Sequence, residues 1–185
     1  MNNLRNRVCP VERAGSLDNR IRRWLQNPQR ILIPYIKEGM TVLDLGCGPG
    51  FFSIEIAQMV GKAGRVIASD LQDGMLQKLR SKLQGTDLAD RITLHRSGEE
   101  NIGVSEKVDF VLAFYMVHEV PDQKEFFKEI YSIVNPKGQI LIVEPPLHVS
   151  RKAFEETIRT AEDAGFESVE RPKVFLSKTM ILRKG

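Results

Sequence analysis

The stretch TVLDLGCGPG at residues 41–50 constrains the fold of this chain more than any other. Residues 41–45 are a short β-rich run, and glycines 46, 48 and 50 follow at alternate positions. Residues 51–60 then place Phe52, Ile56, Met59 and Val60 near one helical face. A strand that turns through glycines into a helix is the first half of a strand–helix–strand unit. Glycine permits the tight turn and lets backbone approach a ligand without a Cβ in the way. In an open parallel sheet such a loop lies beyond the carboxyl end of the first strand, where ligands bind.

The alternation continues. Residues 65–69 read as a second strand ending in Asp70, and Asp73 is placed to cap a helix through Met75, Leu76, Leu79 and Leu83. Residues 92–95 form a short third strand, and residues 108–114 (VDFVLAF) have the nearly unbroken apolar character of a central parallel strand. Asp122 and Glu125 have capping-box spacing at the head of a helix through Phe126, Phe127, Ile130 and Val134. Residues 135–138 (NPKG) read as a turn before a fifth strand at 139–143. A last helix over 150–164, ended by Gly165, precedes two short strands near 168–171 and 178–183. Ahead of all this, Asn27 and Pro28 supply a cap and a first-turn proline for a helix over 28–37, with a basic helix before it near 17–26. The pattern predicts one parallel sheet covered on both faces, with an antiparallel hairpin at one edge.

Composition fits one such domain. The chain has 185 residues with 42% hydrophobic content, enough for a single sizeable core. No apolar run approaches the roughly 20 residues that span a bilayer, and the Arg-rich start lacks a signal-peptide core, so a cytoplasmic protein with no membrane partner is expected. Cys9 and Cys47 are expected to be reduced thiols, and they lack the close spacing of a zinc site, so no metal is expected. The net charge of +3 is concentrated early, with eight Lys/Arg against three Asp/Glu in residues 1–40. No aromatic residues interleave regularly with those cations, which disfavours nucleic acid as a partner.

Three ligands compete for the glycine loop. A triphosphate loop needs Lys followed by Ser or Thr after its last glycine, and here Phe51 and Phe52 follow Gly50. A dinucleotide loop reads G-x-G-x-x-G, whereas this one is G-x-G-x-G, with Asp44 placed to repel a pyrophosphate. S-adenosylmethionine carries a sulfonium and an amino group but no phosphate, so Asp44 becomes an asset beside it.

VLDLGCGPG, the acid in IASDLQDGML, the strand VDFVLAFYMVHEV and the turn and strand NPKGQILIVEP together resemble the class I S-adenosylmethionine-dependent methyltransferases, in particular their small type 11/25-like group. The resemblance covers roughly residues 38–183. It implies a Rossmann-like, doubly wound seven-stranded α/β sheet of order 3-2-1-4-5-7-6, mostly parallel with one antiparallel C-terminal strand. It also implies S-adenosylmethionine as the methyl donor and S-adenosylhomocysteine as the product.

Carried over residue by residue, Asp44 would serve the donor's cationic end. Gly46 and Gly48, with Cys47 between them, would approach its methionine and ribose portion. Asp70 would accept the ribose hydroxyls, as a carboxylate suits a cis-diol. Leu71 would lie on the adenine, and Ala113 and Phe114 would border the methionine part. The family's usual Gly-Asp-Ala after the third strand is replaced here by Ser97-Gly98-Glu99, leaving Gly98 and Glu99 for the adenine amino group. His118 follows the fourth strand as a candidate general base, with loop packing as its other reading. Methyl transfer depends heavily on alignment, so a base is not obligatory.

The connection after Glu144 is too short to form a lid. Residues 1–37 are therefore expected to form a helical basic arm that caps the site through Arg20, Arg22, Arg23, Trp24 and Tyr35, while residues 38–185 form the donor-binding domain. The same arm has a second use as a homodimer contact. The expected acceptor is a small molecule. An RNA or protein acceptor and an NAD-dependent oxidoreductase are the alternatives.

Overall fold

A computed structural model describes residues 26–185. Its centre is a seven-stranded sheet: β1 (Thr41–Leu45), β2 (Arg65–Asp70), β3 (Ile92–Arg96), β4 (Val108–Phe114), β5 (Val134–Glu144), β6 (Phe166–Glu170) and β7 (Lys178–Lys184). The order is β3-β2-β1-β4-β5-β7-β6. β1 to β5 pair in parallel, and β7 runs antiparallel to both β5 and β6. The sheet is thus the Rossmann-like arrangement that the sequence resemblance implies. The chain leaves β1 in one direction across the sheet and returns to its other side at β4, so the crevice beyond β1 is where ligands bind in such sheets.

Period-two alternation splits the strand residues between two cores. Val111 and Ala113 of β4 and Ile140 and Ile142 of β5 face α4 (Gln123–Ile133) and α5 (Arg151–Asp163), burying Phe127, Ile130, Phe154 and Ile158. Phe110, Leu112, Leu141 and Val143 face the opposite way, toward α2 (Ser53–Met59) and α3 (Asp73–Leu83), with Ile56 and Leu79 buried there. Strands buried on both faces must be apolar almost throughout, hence the VDFVLAF run, broken only by the half-buried Asp109 near its start.

Caps and turns follow local chemistry with three differences. Asp122 accepts from the Lys124 and Glu125 amides and Ser150 from that of Ala153, so both cap α4 and α5 as their positions require. Asp73, expected as a cap, is the first residue of α3 instead, and Gln72 occupies the cap without a side-chain bond. The helix expected over 28–37 is only α1 (Pro28–Leu32), opened by Asn27 through the Arg30 amide. Pro34 lacks the amide that would continue it. The expected turn at 135–138 lies inside β5, which starts at Val134 and shifts register against β4 between Val108 and Phe110.

From α1 onward the chain descends one face of the sheet. Gln29 reaches Glu55, Tyr35 stacks on Phe110 at 6.0 Å and donates to Glu170, and Gly39 bonds Val60. Tyr35, expected over the donor, packs instead against the middle of β4. The expected helix near 17–26, the arm residues Arg20, Arg22, Arg23 and Trp24, and Cys9 lie outside the described residues. No described helix is long and apolar enough to cross a membrane.

Candidate functional site

The glycine loop folds tightly over the ends of β1 and β2. Gly46, Gly48 and Gly50 all have positive φ, at +66°, +55° and +87°. A Cβ on Gly46 would crowd the Met116 side chain at 3.1 Å, and one on Gly50 would run into Leu79 at 2.3 Å. A Cβ on Gly48 would meet nothing within 4 Å. Gly46 and Gly50 therefore close the loop onto the protein, and Gly48 is the point where its backbone is open to an incoming ligand.

Asp70, at the last position of β2, organises this opening. Its Oδ2 accepts the Gly48 amide at 2.9 Å and its Oδ1 the Gln72 amide at 2.8 Å. Burial raises the carboxyl above the usual range, and these two amides pull it back toward ionisation. Each oxygen keeps a lone pair beyond the one its amide uses, so a fixed, bidentate acceptor stands beside the open glycine. The Cys47 amide donates to the Ser69 carbonyl at 3.0 Å and fastens the loop to β2.

The other expected residues divide into those that touch this opening and those that support it. Asp44 is buried beneath the loop and accepts the Ser53 hydroxyl at 2.6 Å, tying the end of β1 to the first turn of α2. Cys47 is buried, and its thiol is pushed far up by burial and then by the charges of Asp44 and Asp70, so it stays protonated and packs. Leu71 is half-buried just after Asp70. Gly98 and Glu99 lie on the exposed loop after β3, which the Ser97 amide ties to the Asp70 carbonyl at 3.2 Å. Ala113 is wholly buried in the strand, facing the α4 side. Phe114 ends β4 in a row of rings, 4.4 Å from Phe52 and 4.5 Å from Tyr115.

Beyond β4 the chain makes a short 3-10 turn, Val117–Glu119, that carries His118. Glu144, buried at the last position of β5, accepts the His118 amide through Oε1 at 3.0 Å and meets its Nδ1 through Oε2 at 2.6 Å. The Glu144 hydrogen bond raises the imidazole above its ordinary value, against the opposing effect of burial. With Nδ1 engaged, Nε2 is the nitrogen left to exchange a proton, and the side chain is 28% exposed. Glu119 beside it is pushed up to about 7, first by burial and also by the charges of Asp70 and Glu144. The raised acid Glu119 and the raised base His118 thus stand together just beyond β4, with the carboxylates of Asp70 and Glu144 at the ends of β2 and β5.

Sequence reasoning missed Glu144 and the link from Gln26 to Ser177. Glu144 had a signal, being the acid that ends the apolar run QILIVE at the ligand-binding end of the sheet. Tyr115 has φ +61°, and its hydroxyl takes the Gln26 amide at 2.7 Å and pairs with Ser177 at 2.7 Å. No local pattern announces a bond between residues 62 or 89 positions apart.

The open Gly48 backbone and the adjacent fixed carboxylate fit a nucleoside that has hydroxyls to place but no phosphate. Comparison with known proteins agrees. A methyltransferase domain model matches residues 36–171. The chain is 30% identical over 122 residues to the demethylmenaquinone methyltransferase of Oceanobacillus iheyensis, covering 64% of this chain and 51% of that protein. It is 28% identical over 110 residues to a ubiquinone/menaquinone biosynthesis C-methyltransferase of Haemophilus ducreyi, covering 59% and 42%. The match thus spans about half the length of these curated relatives or less. A SAM-dependent methyltransferase from Aquifex aeolicus superposes with a TM-score of 0.84 at 25% identity, covering 96% of this chain and all of that one.

Proposed function

We propose that this chain, which belongs to the methyltransferase domain family, moves a methyl group from S-adenosylmethionine to a small-molecule acceptor. The observation that carries the proposal is the Asp70 carboxylate, held by the Gly48 and Gln72 amides beside the only loop glycine whose Cβ position is open. Asp70 takes the ribose hydroxyls, Leu71, Gly98 and Glu99 border the base, and Gly46, Gly48 and Phe114 border the methionine portion. Asp44 acts from beneath, holding the loop through Ser53 rather than meeting the donor directly.

S-adenosylmethionine, when bound, supplies an electrophilic methyl group on a good leaving group. The chain's own task is to align an acceptor with it and take up the proton the acceptor gives away. His118 is the residue for that proton. Glu144 fixes its orientation, and Nε2 would receive the proton that the acceptor releases on methylation, S-adenosylhomocysteine being the group that departs. The names of the relatives put a quinone precursor first among acceptors to test. Family membership sets the nicotinamide alternative aside.

The segment before Gln26 is the proposed acceptor cap. Gln26 supports this reading, because it ends that segment at the Tyr115 hydroxyl, next to the end of β4. The proposed compartment is the cytoplasm, in keeping with a free, buried Cys47 thiol. Calorimetry with S-adenosylhomocysteine tests the core claim: micromolar binding is expected, and no heat at millimolar ligand overturns it.

A further inference from the structure

Two loops leave the ligand-binding end of the sheet side by side. Residues 145–150 follow β5 and residues 171–177 precede β7, and the register pairs Glu144 with Lys178 at their base. The Lys178 ammonium donates to the Pro146 carbonyl at 3.1 Å and ties the loops together. Their tips carry Leu147, 93% exposed, Phe175, 51% exposed, and Leu176, 72% exposed, three of the five large hydrophobic residues exposed among the described ones.

Both loops are anchored beneath their tips. Val149 and Val174 are buried and anchor one loop each. The Val149 amide reaches the Pro145 carbonyl, and the Ser177 amide closes a turn onto Val174 at 2.9 Å. Leu176 sits at φ +51°, a conformation that costs a leucine about 1 kcal/mol or more. A leucine kept in that conformation and turned to water is poorly explained by packing.

The charge around the tips has one sign. Residues 145–154 and 171–184 contain no Asp or Glu, while Arg151, Lys152, Arg171, Lys173 and Lys178 lie among them. The flanking acids are engaged: Glu144 holds His118, Glu155 pairs with Arg171, Glu156 stands 3.9 Å from Lys152, and Glu170 accepts from Tyr35. Projecting apolar side chains ringed by cations match the interface of a bilayer with anionic headgroups, where tails meet leucine and phosphate meets lysine.

We infer that the Leu147 and Phe175–Leu176 loop tips dock this protein on the surface of an anionic lipid bilayer. No spanning helix is required. Because the loops flank Glu144 and reach Tyr115 through Ser177, docking turns the candidate site toward the interface, where an amphipathic acceptor would be concentrated.

Vesicle co-sedimentation of the full chain tests this without any turnover, so its failure is distinguishable from failure of the proposed reaction. Phosphatidylcholine vesicles with about one third phosphatidylglycerol are expected to bind the protein at low salt and release it as salt rises, and pure phosphatidylcholine to bind it poorly. The triple variant Leu147→Ser, Phe175→Ser, Leu176→Ser should bind about ten-fold or more weakly. Lys152→Gln and Lys173→Gln should each weaken binding about five-fold. All three side chains of the triple variant are exposed, so it should keep the parent's melting temperature and its S-adenosylhomocysteine binding. No binding to anionic vesicles overturns the inference, as does equal binding by the parent and the triple variant. A parent dimer that the triple variant turns into a monomer also overturns it, assigning the tips to a second copy.

Discussion

Glu144 holds His118 at two points, accepting the backbone amide at 3.0 Å and meeting Nδ1 at 2.6 Å. A buried carboxylate that fixes both the position and the tautomer of a half-exposed imidazole is the arrangement a general base needs. His118 must be neutral to accept a proton, and Glu144 raises its titration. Turnover on a protonated acceptor should therefore rise with pH through a value above the ordinary 6.5. Glu144→Gln should move that inflection down and lower kcat about 10²-fold or more, leaving S-adenosylhomocysteine affinity nearly unchanged. A parallel loss of affinity, with the inflection unmoved, would make the pair purely structural.

Asp70 predicts the opposite division. Asp70→Ala removes the acceptor of the Gly48 and Gln72 amides along with the proposed ribose contact. Hydrogen bonds to a charged group contribute about 1.5–3 kcal/mol, so S-adenosylhomocysteine affinity should fall about ten- to hundred-fold. Titration calorimetry of the folded variant measures this directly.

The loop glycines should separate into packing and ligand positions. Gly50→Ala forces a Cβ to within 2.3 Å of Leu79 at φ +87°, and should destabilise the fold by about 1–3 kcal/mol in denaturant titration. Gly48→Ala meets no protein atom and should cost only about 1 kcal/mol, from its φ of +55°. Its larger effect should be on donor affinity, because the added methyl projects into the opening.

Glu119 predicts a pH dependence of stability. Its carboxyl titrates near 7 in the folded chain, against about 4.3 when unfolded. Between those values the native state holds a proton that the unfolded state has released, so stability falls as pH rises through the window. His118, also raised, adds a fall in the same direction above about 6.5. Melting temperatures from about pH 5 to about pH 8 should decline in the parent. Glu119→Gln should decline less and be relatively more stable at the alkaline end.

Removing residues 1–25 tests the proposed cap. Turnover should drop more than S-adenosylhomocysteine affinity, since Gln26 meets the chain at Tyr115 rather than at Asp70. Unchanged kcat and KM in the truncated protein would remove these residues from the acceptor site.

The sequence by itself determined the strands, most helices, the glycine loop and its kind of ligand. Those features are written in short windows: apolar runs such as VDFVLAF, caps such as Asp122 and Ser150, and TVLDLGCGPG with its Asp44 and missing lysine. Asp44 has both a local and a tertiary aspect. Its position beside the loop is local, but its engagement by Ser53 depends on how α2 turns back over β1. Tertiary structure alone decided the rest. Glu144 becomes the partner of His118 only because β5 pairs beside β4 and brings residues 26 positions apart within 2.6 Å. The loops that carry Leu147 and Leu176 are tied together only because β7 enters the sheet between β5 and β6. Local patterns specify backbone geometry over a few residues, whereas which side chains share a site is set by strand order, and no single stretch of the chain encodes that order.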